Sequence, residues 1–117
     1  MSAAARPAEA QSNGTMAGAI DRAHLSRQTL GDPDLEREIL ALFRRQADVM
    51  LQRLRAARGD ERRIAAHTLK GSARAIGAWH LAEAAEAVET AEATPDLAPL
   101  RGAVGDVNAM IELLLAS

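Results

Sequence analysis

The sequence contains no cysteine and no tyrosine, and Phe43 and Trp79 are its only aromatic residues. Without cysteine, disulfides and thiolate chemistry are excluded. Long apolar runs are missing as well. None approaches the ~20 residues that span a bilayer, and residues 1–18 lack the apolar core of a signal peptide. Charge of one sign is also absent: the net charge is −2, which argues against a broad basic surface for nucleic acid. Lysine is nearly absent, since of 14 cationic side chains all but Lys70 are arginine. What is abundant is alanine, at 27 of 117 positions. Alanine favours helices packed closely through small side chains, whereas a sheet prefers β-branched and aromatic residues. The expectation is one cytoplasmic, all-α domain with a single core.

Residues 1–18, "MSAAARPAEAQSNGTMAG", mix small and polar residues without a period and read as a mobile tail. Residues 19–117 read as a helical bundle. Asp21 suits the N-cap of a short helix with Leu25 and Leu30 facing inward. Asp32 and Pro33 suit the cap and first position of a second helix, with Gly59 as its stop. Ile39, Phe43, Ala47, Met50 and Leu54 form its apolar stripe. Asp60 is the expected cap of a third helix running to about Ile76, with Gly77 as terminator. A fourth spans 78–92, burying Leu81, Ala85, Val88 and Ala91. Thr94 and Pro95 suit the start of a fifth, whose Leu97, Leu100, Val104, Val107, Ile111 and Leu114 alternate spacings of three and four. Short links between the last four helices predict an up-down antiparallel four-helix bundle with an additional N-terminal helix.

On a wheel of about 100° per residue, Ala65, Leu69, Ser72 and Ile76 lie opposite His67 and face the core. His67 therefore points outward. Its wheel neighbours are Arg63, Lys70, Gly71 and Arg74, so three cations and one missing side chain surround it. Cationic neighbours favour a neutral, nucleophilic imidazole and would stabilise a phosphoryl group attached to it. Gly71, one turn along the same face, leaves room for another protein's active site at a helix cost of about 1 kcal/mol. Lysine is a compact, mobile point charge, which distinguishes Lys70 from the arginines. The plainer alternative is a solvated histidine, with Arg62, Arg63 and Arg74 pairing with Glu83, Glu86, Glu89 and Glu92 on the next helix.

Other chemistries lack their residues. Arg63 and Gly71 flank His67 where a metal would need ligands, and His80 with Glu83 gives only one reversed di-iron pair, so no metal site is expected. His24 and His80 have no supporting constellation. There is no Gly-x-Ser-x-Gly elbow, Walker loop or Rossmann glycine pattern, so any phosphoryl group must come from elsewhere.

Residues 66–89, "AHTLKGSARAIGAWHLAEAAEAVE", closely resemble the signature of histidine-containing phosphotransfer (HPt) domains of bacterial two-component phosphorelays. The match comprises His-x-x-Lys-Gly-Ser at 67–72, Gly-Ala at 77–78, and a helix carrying Leu81 and Glu89. The resemblance implies that His67 accepts a phosphoryl group from a receiver-domain aspartate and passes it to another. By the same resemblance Lys70 steadies the phosphoryl oxygens, Gly71 keeps the approach open, and Glu89 orients the histidine. Arg63 and Arg74 are electrostatic candidates; Ile64, Thr68 and Ala75 are candidate docking contacts, and Ser72 is assigned to packing. The implied protein is a monomeric phosphocarrier rather than an enzyme. It binds no cofactor of its own, because Mg²⁺ belongs to the partner receiver domains of hybrid histidine kinases and response regulators. Two other readings stay open: the phosphoacceptor domain of a chemotaxis-type histidine kinase, and an unmodified helical adaptor.

Overall fold

A computed structural model describes residues 18–116. Apart from Gly18, the expected tail lies outside the described residues. The described chain forms five helices: α1 (Arg22–Gln28), α2 (Pro33–Ala56), α3 (Gly59–Ala75), α4 (Trp79–Glu89) and α5 (Ala98–Ala116). Helix α2 packs on α3, α3 on α4, α4 on α5, and α5 back on α2, which closes a four-helix bundle. The core is aliphatic: Leu25, Leu40, Leu69, Ile76, Leu81, Leu100 and Ile111 are almost wholly buried. The most extensive contact joins α3 to α4, where Ala66, Ala73, Ala82 and Ala85 are buried. Small side chains let two helix backbones approach closely, which is how the alanine-rich composition is used. Among the described residues no helix is long and apolar enough to cross a membrane.

Asp21 fixes α1 to the bundle. Its Oδ1 accepts from the His24 amide at 3.1 Å, capping α1. Its Oδ2 accepts from Trp79 Nε1 at 3.0 Å, and its own amide donates to the Gly77 carbonyl at 2.8 Å. The Trp79 bond, followed by the His24 amide, holds the Asp21 carboxyl below its ordinary range. Gly77 has φ of +80°, and a Cβ there would come within 2.8 Å of the Asp21 carbonyl oxygen. Glycine is therefore required twice over, by conformation and by space.

Leu30 corrects the expectation of an inward side chain, because it is 90% exposed. It lies just beyond the α1 cap at φ 55°. There the Leu30 amide donates to Arg27 and the Gly31 amide to Ser26, the paired bonds of a Schellman motif. A left-handed residue leaves the helix stripe, so the periodicity that assigned Leu30 to the core stops one residue too soon. The buried position is taken by Thr29, whose hydroxyl donates to the Leu25 carbonyl at 3.0 Å.

Four helix boundaries also differ. Asp32 caps α2 through bonds from the Asp34 and Leu35 amides, but α2 ends at Ala56, and Gly59 opens α3 instead of closing α2. Asp60 does not cap; Arg58 holds that position without a side-chain bond, while the Asp60 carboxylate pairs with Arg63 in the first turn. Helix α4 stops at Glu89, before the expected 92, and α5 begins at Ala98, not at Pro95. The connection over residues 90–97 is thus longer than the tight link expected. Asp96 Oδ1 accepts from the Ala98 amide at 2.9 Å, so the carboxylate, rather than the Thr94 hydroxyl, serves the start of α5.

These backbone positions make opposite predictions. Replacing Leu30 with glycine removes a left-handed penalty at no core cost and raises stability by about 1 kcal/mol. Gly77→Ala introduces that penalty together with a clash and lowers stability by roughly 2–4 kcal/mol. Chemical denaturation of both variants measures the two shifts; a destabilised Leu30→Gly protein would contradict the strain assigned to residue 30.

Candidate functional site

Helix α3 presents His67 at the middle of its outer face, with the side chain 68% exposed. Ala65, Ala66, Leu69 and Ala73 are buried on the inner face, so the 3.6-residue period fixes the direction of the imidazole. The α3–α4 packing brings Glu89, the last residue of α4, against it. His67 Nδ1 lies 2.8 Å from Glu89 Oε2, in hydrogen-bonding contact. With the ring N–H at Nδ1 donating to the carboxylate, Nε2 keeps its lone pair and faces away from Glu89.

Lys70 is joined to the same carboxylate. Its Nζ lies 2.6 Å from Glu89 Oε1, and its side chain is only 13% exposed, against 20% for Glu89. Lys70 and then His67, as hydrogen-bond partners, hold the Glu89 carboxyl below its ordinary value of 4.5. Each oxygen of Glu89 thus has its own partner, and the three side chains form a fixed unit. The sequence reading placed Lys70 beside the imidazole but missed this tie. Spacing alone does not tell which of Glu83, Glu86 and Glu89 the amine reaches.

The cations around His67 are paired with carboxylates, although Arg63 does not turn to the next helix as the pairing alternative expects. Arg63 pairs with Asp60 on its own helix, and Arg74 approaches Glu86 of α4 at 3.6 Å. The cations of this face are held in ion pairs, and His67 Nε2 has no hydrogen-bond partner among the described residues. Gly71 is exposed, and a Cβ placed there would meet nothing within 4 Å. No close packing among the described residues accounts for it. Gly102 and Gly105 are equally open, so what distinguishes Gly71 is its place one turn from the imidazole.

On the side of α3 away from the cations, Ile64 (65% exposed), Thr68 and Ala75 reach solvent. Ile64 and Thr68 line a groove of about 450 Å³ with Met50 and Arg53 of α2. A neighbouring hollow of about 480 Å³ adds Leu42, Val49, Thr68 and Ser72. Ser72 therefore borders this hollow half-buried, and is not a core residue. Leu42 and Val49 are nearly half exposed, and the sequence reading overlooked them. Their seven-residue separation, off the buried stripe of α2, is the signal that would have found them. His80 is exposed, and His24 packs edge-on against Trp79 with ring centroids 4.8 Å apart. Among the described residues no group of three or more His, Asp or Glu side chains is arranged to hold a metal ion.

Comparison with known proteins gives one match. A family model described as "Hpt domain" matches residues 38–117. Among curated proteins and among solved structures nothing matched the chain.

The Glu89 unit predicts an acid-sensitive share of stability. The folded carboxyl titrates below 4.5, so as pH falls the unfolded chain takes up the proton first. The contribution is complete above about pH 4.5 and is lost as pH falls through the folded value. Denaturant unfolding from pH 6 to 3 should show a shallower acid decline for Glu89→Gln than for the wild type; parallel curves would mean that the carboxylate is not held by Lys70 and His67.

Proposed function

Since the chain belongs to the Hpt domain family, whose members serve histidine phosphotransfer in phosphorelays, we propose that His67 is the phosphoryl-carrying residue and Nε2 its reacting atom. The single observation that supports this most is the Nδ1 bond to Glu89 on a side chain that is otherwise open to solvent. A nucleophile whose second nitrogen is held by a base-like partner is oriented before the donor arrives.

In the forward step Nε2 attacks phosphorus of a receiver aspartyl phosphate. The N–P bond forms, the P–O bond to the aspartate breaks, and the carboxylate leaves with the electron pair. Positive charge develops on the imidazole, and the Glu89 carboxylate at Nδ1 offsets it. The reverse sequence delivers the phosphoryl group to the aspartate of a response regulator. Lys70, held through Glu89, places a second positive charge beside the ring for the phosphoryl oxygens. Phosphoryl transfer depends on positioning and charge stabilisation. The chain acts as a carrier, with Mg²⁺ supplied on the receiver side.

Docking is assigned to the α2–α3 flank. Ile64, Thr68 and Ala75 line the approach to His67, and Leu42 and Val49 extend the apolar surface onto α2. Arg45 and Arg53, which border the same hollows, supply positive charge toward an acidic receiver pocket. A monomer in the cytoplasm presents this whole flank to successive partners. Contacts of this kind are transient and bury a modest area.

The test is transfer from phosphorylated receiver domains to the full chain, followed as an acid-labile, alkali-stable label. Wild type should label and His67→Gln should not. Gly71→Ala should be more stable than wild type by about 0.5–1 kcal/mol yet slower in transfer by roughly 10- to 100-fold. Labelling by a histidine-kinase nucleotide-binding domain alone, with none from receivers, would assign the chain to the chemotaxis-type reading. A folded wild type that labels with neither would sink the relay role and leave the adaptor.

A further inference from the structure

Where α2 turns into α3, beneath the 90–97 connection, lies a cavity of about 440 Å³. Four arginines line it: Arg55, Arg58, Arg62 and Arg63. One carboxylate, Glu92, shares the lining, and it makes no ion pair with them. Arg63 is the only one of the four with an ion-pair partner among the described residues, Asp60. Arg62 is the informative member. It is 9% exposed, and its Nε has no hydrogen-bond partner among the described residues. Its Nη2 reaches the Ala91 carbonyl at 3.5 Å, the long limit of a hydrogen bond.

A buried cation without a counter-charge is costly, and a buried N–H without an acceptor adds to that cost. Arg62 Nε is closed off from solvent without an acceptor, and no ion pair neutralises the guanidinium. We infer that this cavity binds a small phosphorylated anion. Planar guanidinium forks match phosphate oxygens bidentately, and Arg55 and Arg58 beside Arg62, neither of them in an ion pair, suit a group carrying more than one negative charge. The volume lies within the range of small-molecule sites and exceeds what a single phosphate fills. Leu54 and Leu97, also in the lining, offer an apolar wall for the organic part of such a molecule. The site is distinct from the His67 unit, whose carboxylate and amine are already committed to each other.

The test uses the ¹⁵N-labelled full chain, titrated with pyrophosphate and, in parallel, with sodium chloride at matched ionic strength. Pyrophosphate should give saturable shifts in amides 55–63 and 91–97 that chloride does not. Arg62→Met keeps the aliphatic stem and removes the charge; it should weaken binding by about tenfold or more. Arg58→Ala, at an exposed position, should weaken it as well, and decides the matter should Arg62→Met fail to fold. His67→Gln should bind as wild type does, so a negative result here leaves the phosphotransfer reading intact. Shifts reproduced by chloride, shifts centred on 67–74, or affinity unchanged in Arg58→Ala and in a folded Arg62→Met would overturn the inference.

Discussion

The close approach of α3 and α4 through alanine governs the rest of the structure. Ala66 and Ala73 on one helix, with Ala82 and Ala85 on the other, are buried small side chains that let the two backbones come close. Glu89 at the end of α4 then lies within reach of two side chains on the outer face of α3. One carboxylate, with one oxygen for the imidazole and one for the ammonium, converts that packing distance into a defined ring orientation. Larger residues in the seam would move the carboxylate away, and His67 would become one more solvated histidine.

The bundle and the outward direction of His67 were legible from periodicity. The stripe of α5 and the inner face of α3 repeat at helical spacing, and burial follows it for Leu100, Val104, Val107 and Ile111 as for Leu69. Helix ends were less legible because each offers competing signals. Thr94 with Pro95 and Asp96 with Pro99 both suit a helix start, and the stronger acceptor at Asp96 prevailed. Asp60 had a choice between capping and pairing with Arg63, and it paired. At Leu30 the chain spends a non-glycine residue on a left-handed turn, which no propensity rule anticipates.

The placement of the candidate residues around His67 was legible, but their electrostatics were not. A helical wheel places three cations around His67 yet says nothing about what each one touches. Arg63, Lys70 and Arg74 all turn to carboxylates. The surface around His67 is thus less positive and more apolar than the wheel implied. Its apolar part continues onto α2 through Leu42 and Val49. That continuation depends on which faces of α2 and α3 meet, a property of the fold rather than of either helix.

The position of the single indole has a practical consequence. Trp79 donates to Asp21 and stacks edge-on with His24, so its surroundings are set by α1 and the Gly77 turn. Intrinsic fluorescence in this chain is therefore an optical gauge of the N-terminal helix. Its emission follows the seating of α1 on the bundle and does not sample the α2–α3 flank, which carries no tryptophan.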